Sequence, residues 1–190
     1  MVLADSQPTV GICFGGSDAE NLTAVALRHV ALWTHPVRVK AVMGPRFRHS
    51  IAELERGLDK GQAVVDLISG SEDVWSHLAG CRALLLGGGL MALEAASLGI
   101  PTVHLARNEP QRRLLQPLEA ADAAWVSSDV GVPGVLPAIE LLQGLLQSES
   151  LCWQMRRACQ SLQLSQGAER TLQKIMSFFE QKRPIFSALG

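Results

Sequence analysis

Strand-length apolar runs alternate with helix-length stretches along nearly all of the sequence, and no other feature limits the possible folds as strongly. Runs at 9–14 (TVGICF), 37–43 (VRVKAVM), 63–68 (AVVDLI), 82–89 (RALLLGGG), 100–106 (IPTVHLA) and 122–127 (DAAWVS) read as six strands. Helices are expected over 19–33, around 46–59, in the segment SEDVWSHLAG ending at Gly80, over 90–99 closed by Gly99, and near 110–121. Three more are expected at 134–147, 149–162 and 166–182. Six strand–helix units with short connections predict an α/β, Rossmann-like three-layer sandwich. Its parallel sheet would run in the order 3-2-1-4-5-6, with helices on both faces and right-handed crossovers.

The 190 residues, 47% of them hydrophobic, suit one domain spanning 1–190. A formal net charge of -1 and the lack of any Lys/Arg run give no electrostatic case for nucleic acid or an anionic membrane surface. Cys13, Cys81, Cys152 and Cys159 form no CxxC pair and no metal-ligand spacing, so they are expected as small core residues in a reducing compartment. No metal is expected. The start MVLADSQPTV lacks a secretory pattern, and no apolar run reaches the length of a membrane span, so a cytoplasmic protein is expected. The end, KRPIFSALG, is expected to leave the last helix at Pro184 and to expose Ile185, Phe186 and Leu189 to a partner.

Two glycine hinges join strands to helices. Gly15-Gly16-Ser17-Asp18 follows the first strand, with Asp18 placed to cap the next helix. Gly87-Gly88-Gly89 follows the fourth. Such hinges let a ligand approach the backbone, and the helix starts behind them offer unpaired N–H groups to phosphate. Neither hinge has the GxGxxG spacing or a Walker lysine, so a nicotinamide or ATP site has little support. Glu94 is the one charge on the apolar helix 90–98, and its carboxylate could accept from both hydroxyls of a ribose. In ARNEPQRR, Asn108 and Gln111 can hydrogen-bond sugar hydroxyls, and Arg107, Arg112 and Arg113 could meet phosphate. Each feature also has a plain structural reading: a tight turn, a solvated glutamate, a polar helix start.

Together, FGGSDAEN, LLLGGGLMALEAASLGIPTVHLARNEPQ and LSQGAERTLQKI resemble the C-terminal domain of GT-B fold enzymes. The likeness is to the peptidoglycan lipid-intermediate GlcNAc-transferase type. It is nearest to the UDP-sugar hydrolase of pseudaminic acid synthesis and its spore-coat polysaccharide relatives. It covers roughly residues 8–180 and implies UDP-sugar binding without a cofactor. By the same resemblance, Gly15, Gly16 and Ser17 face the diphosphate or the acceptor side. Gly88, Gly89 and Leu90 form the helix start that holds phosphate, Glu94 holds the ribose, and Asn108 and Gln111 contact the sugar. The second hinge departs from the family in lacking hydroxyl side chains, which leaves phosphate to the backbone.

The family's acceptor-binding N-terminal half has no counterpart in this sequence. The hydrolase's proposed catalytic histidine belongs to that half, and none of His29, His35, His49, His77 or His104 matches it. The leading expectation is therefore a nucleotide-sugar-binding half that needs a partner domain or chain. The alternative is a non-catalytic nucleotide-binding or interaction module that keeps the fold. No GxSxG elbow supports another class of α/β enzyme.

Overall fold

The computed structural model describes residues 7–56, 58 and 61–186. Six strands, β1 (Thr9–Cys13), β2 (Val37–Met43), β3 (Ala63–Ser69), β4 (Ala83–Gly87), β5 (Thr102–Leu105) and β6 (Trp125–Val126), form one sheet in the order β3-β2-β1-β4-β5-β6. Every pairing is parallel. The expected class and strand order are therefore the observed ones.

Period-two burial explains how the strands sort their side chains. Val10, Ile12, Val39, Ala41, Leu85, Val103 and Leu105 enter the larger core on one face. Cys13, Leu84 and Leu86 point to the other, beneath α3 (Trp75–Leu78) and α4 (Met91–Ser97). The first face is covered by α1 (Leu22–Val30) and α6 (Val135–Gln147). Helix α6 buries Val135, Ala138, Ile139, Leu142 and Leu145, one face at helical spacing. Helix α5 (Glu109–Ala120) packs on β6, and α7 (Glu149–Ser161) packs on α4 and α6. All four cysteines are free and buried.

Several elements differ in extent from the expectation. Helix α1 begins at Leu22 rather than near 19, because Gly15, Asp18 and Asn21 all take positive φ and prolong the turn. Helix α2 is confined to Ile51–Glu55, and residues 57 and 59 of the expected longer helix lie outside the described residues. Strand β6 has two residues, as befits an edge paired on one side only. Helix α8 (Gly167–Phe186) runs past Pro184 instead of ending there. Leu189 and the side chains of Ile185 and Phe186 lie outside the description. No helix among the described residues is long and apolar enough to cross a membrane.

Candidate functional site

Strands β1 and β4 lie side by side at the centre of the sheet, with Cys13 level with Leu86. From there the chain turns outward in opposite directions, to β2 and to β5. That reversal opens a crevice at the carboxyl ends of the strands, where open α/β sheets collect ligands. Both glycine hinges meet in it. Phe14, Gly15, Gly87–Gly89, Met91, Arg107 and Gln111 line a recess of about 70 Å³. Pockets that enclose a small ligand hold roughly 300 Å³ or more, so this recess is too small to enclose one by itself. A larger recess, about 610 Å³, lies beside Asp122, Trp125, Gln154 and Arg157, away from both hinges.

The first hinge is closed by its own side chain. Asp18, 1% exposed, accepts hydrogen bonds from the Leu22 N–H through Oδ1 at 2.8 Å and from the Thr23 N–H through Oδ2 at 2.9 Å. The next two amides, of Ala24 and Val25, donate to the Asn21 carbonyl. The start of α1 is thus saturated, and the carboxylate stands where an external anion would bind. Asp18 caps the helix as expected, though from four residues ahead of its first turn. Gly15, at φ 92, makes the reversal that brings it there, a conformation that favours glycine.

The second hinge is open. Gly88 donates to the Leu105 carbonyl, and a Cβ at Gly88 would lie only 3.1–3.2 Å from Gln111, Ala106 and Leu115. This glycine therefore lets the loop lie down on α5. Gly89 has nothing within 4 Å of where a Cβ would stand. The N–H groups of Gly89, Leu90 and Met91 find no acceptor among the described residues, and no side chain caps α4. Leu90 is 71% exposed. Three amide donors at this helix start are therefore free among the described residues, and Gly89 and Met91 line the recess together with Arg107.

Glu94 is exposed on α4, where its Oε2 accepts from the Trp75 indole N–H at 2.8 Å. It does not line the recess. Asn108 caps α5 by accepting from the Gln111 N–H at 3.0 Å, and Gln111 Oε1 accepts from the Arg107 N–H at 2.9 Å. Both amide oxygens are thus engaged, which leaves both NH2 groups as outward donors. Of the three arginines singled out in this segment, Arg107 lines the recess, Arg112 donates to the Ser127 carbonyl, and Arg113 is exposed. Ser17 is half-buried in the first hinge.

Two neighbours of the hinges were not evident from the sequence. Trp75 meets Glu94 across 19 residues of sequence. Arg46 meets Gly16 from the loop after β2, its N–H donating to the Gly16 carbonyl at 3.0 Å. Both contacts arise from tertiary packing, and no local spacing signals them.

No buried titratable group here is poised for acid–base or nucleophilic chemistry. Burial pushes the Cys13 thiol up, which keeps it protonated and inert. His104, wholly buried on β5 with both ring nitrogens unpartnered, is pushed down to about 4 by burial, and the Gly87 backbone alongside offsets little of this. Among the described residues no cluster of three His, Cys, Asp or Glu could hold a metal.

No family model matches the sequence. The uncharacterized protein MJ1062 of Methanocaldococcus jannaschii is 28% identical over 103 residues, which is 53% of this chain and 21% of that protein. Among solved structures, spinosyn rhamnosyltransferase SpnG matches with a TM-score of 0.63 and 21% identity over 90% of this chain and 46% of its own. MurG of Acinetobacter baumannii matches at 0.61 and 15% identity, with 84% of this chain and 49% of its own covered. The calicheamicin glycosyltransferase CalG4 matches at 0.61 and 16% identity, over 97% and 45%. The chain spans less than half the length of these structures and about a fifth of the curated relative. The structural neighbours are GT-B glycosyltransferases and epimerases, and the fold of this chain is that of one half of them.

Proposed function

We propose that this chain is the nucleotide-sugar-binding half of a GT-B glycosyltransferase or UDP-sugar hydrolase, acting in synthesis of a surface polysaccharide or nonulosonic acid. The observation that carries this reading is the uncapped start of α4, with free amides at Gly89, Leu90 and Met91 beside Arg107. A diphosphate there would accept from the amides and meet the positive end of the helix. Glu94, with one carboxylate oxygen not used by Trp75, takes a ribose hydroxyl. The sugar then extends toward Gly15, Gly16 and Ser17, within reach of the amide groups of Asn108 and Gln111. SpnG has also been solved with thymidine diphosphate, a ligand of the same chemical class.

The chemistry would be displacement at the anomeric carbon by an acceptor hydroxyl or by water. This half stabilises the negative charge gathering on the departing diphosphate and fixes the sugar in line for attack. The nucleophile's side of the cleft comes from a second domain or a partner chain. Such a second wall suits a recess of only about 70 Å³. Calorimetric titration with UDP, UDP-GlcNAc and NAD tests the reading: the uridine ligands bind and NAD does not. Absence of UDP binding at millimolar concentration contradicts it for this chain.

One observation favours a second reading, a non-catalytic module that keeps the fold. Glu94 is exposed and already hydrogen-bonded to Trp75, an arrangement that a structural surface pair would also give. In that case Glu94→Ala would change UDP affinity no more than it changes stability.

A further inference from the structure

The first hinge cannot use α1 to hold an anion, because Asp18 fills the helix start. One arginine from a neighbouring loop nevertheless lies over it. The loop after β2 is fastened onto it: the Arg46 N–H donates to the Gly16 carbonyl, and His49 Nε2 lies 2.9 Å from the Asp18 carbonyl oxygen. Gly44 packs so closely that a Cβ there would stand 2.5 Å from Gly16 Cα. This fastening lays the Arg46 guanidinium over Gly16, with Nη2 and Nε 3.5 and 3.6 Å from the position of a Gly16 Cβ. Arg46 is exposed, and no carboxylate among the described residues pairs with it.

If the diphosphate occupies the second hinge, as the reading above has it, the group beyond it faces this lip. A neutral sugar is served by amide and hydroxyl side chains. An unpaired guanidinium fork matches a carboxylate or phosphate, which it can grip through two parallel hydrogen bonds. We propose that Arg46 is a specificity residue that recognises a carboxylate on the sugar, so the preferred ligand is a nucleotide sugar with a carboxylated sugar. The inference rests on the nucleotide-sugar reading and extends it to a substrate class.

The test compares UDP-glucuronate with UDP-glucose, and UDP-galacturonate with UDP-galactose, by calorimetry at low salt. At least one acidic sugar should bind about tenfold more tightly than its neutral parent, with the margin shrinking as salt rises. Arg46→Gln should abolish the preference, and Arg46→Lys, which keeps the charge without the fork, should restore part of it. Equal affinity within both pairs overturns the inference while UDP binding leaves the underlying reading standing. A loss of UDP affinity in Arg46→Gln as large as the loss for the acidic sugars also overturns it, because the arginine would then serve the diphosphate. Absence of binding by any of these ligands, UDP included, defeats both.

Discussion

The two glycine hinges leave neighbouring strands at the same level and lead into helices, yet their chemistry is opposite. At the first, a buried carboxylate from the chain itself occupies the helix start. At the second, three amides at the helix start find no acceptor among the described residues, and Arg107 lines the recess beside them. Glycine content alone does not distinguish an anion site from a sealed turn. The deciding feature is whether the polypeptide supplies its own anion. Asp18 seals the first hinge, whereas no side chain caps the helix behind the second.

The largest expected effect comes from breaking the sealed hinge. Asp18→Ala strands two buried amides and should lower unfolding free energy by about 4 kcal/mol, read from urea titration. UDP affinity of the folded fraction should stay unchanged, because no amide of α1 faces the ligand. A parallel fall in affinity would show that the two hinges act as one site.

Acid should reach the second hinge from beneath. The His104 pKa in the folded protein, about 4, lies below its unfolded value near 6.5. The unfolded chain therefore takes up a proton first as pH falls. The stability linked to neutral His104 is complete above about pH 6.5 and lost on the way down to about pH 4, a total of about 3 kcal/mol. His104→Leu should flatten that part of the stability–pH curve, and an unchanged slope would assign the acid lability elsewhere.

Sealing the open hinge should have a smaller effect on stability. Gly89→Asp places a carboxylate where there is room for it, as Asp18 does at the first hinge. Stability should change by no more than about 1 kcal/mol while UDP affinity falls at least about tenfold. Retained affinity would place the diphosphate elsewhere. The smallest effect is expected for Glu94→Ala, about fivefold weaker UDP binding with a stability change near 0.5 kcal/mol, because the residue is exposed. Equal losses in both would make the pairing with Trp75 its whole role.

The architecture was legible in the sequence because each strand is an apolar run bounded by turn residues, and alternation with helices leaves few topologies open. Boundaries were less so. Asp18 and Asn21 adopt left-handed backbone that delays α1 by three residues, and no periodicity announces this. Pro184 marks a helix end by its missing N–H, yet α8 carries on to Phe186. At the site, local chemistry exposed the capping aspartate and the glycine hinges. Arg46 over Gly16 and Trp75 on Glu94 stayed hidden, since each contact depends on how separate strand–helix units dock.

On the proposed function, the second hinge and not the first receives the diphosphate. Amide resonances of the isotopically labelled chain during UDP titration test it most directly. The largest shifts are expected at Gly88, Gly89, Leu90 and Met91, with Leu22 and Thr23 still. Shifts centred on Leu22 and Thr23, or none at either hinge at saturating UDP, would contradict it.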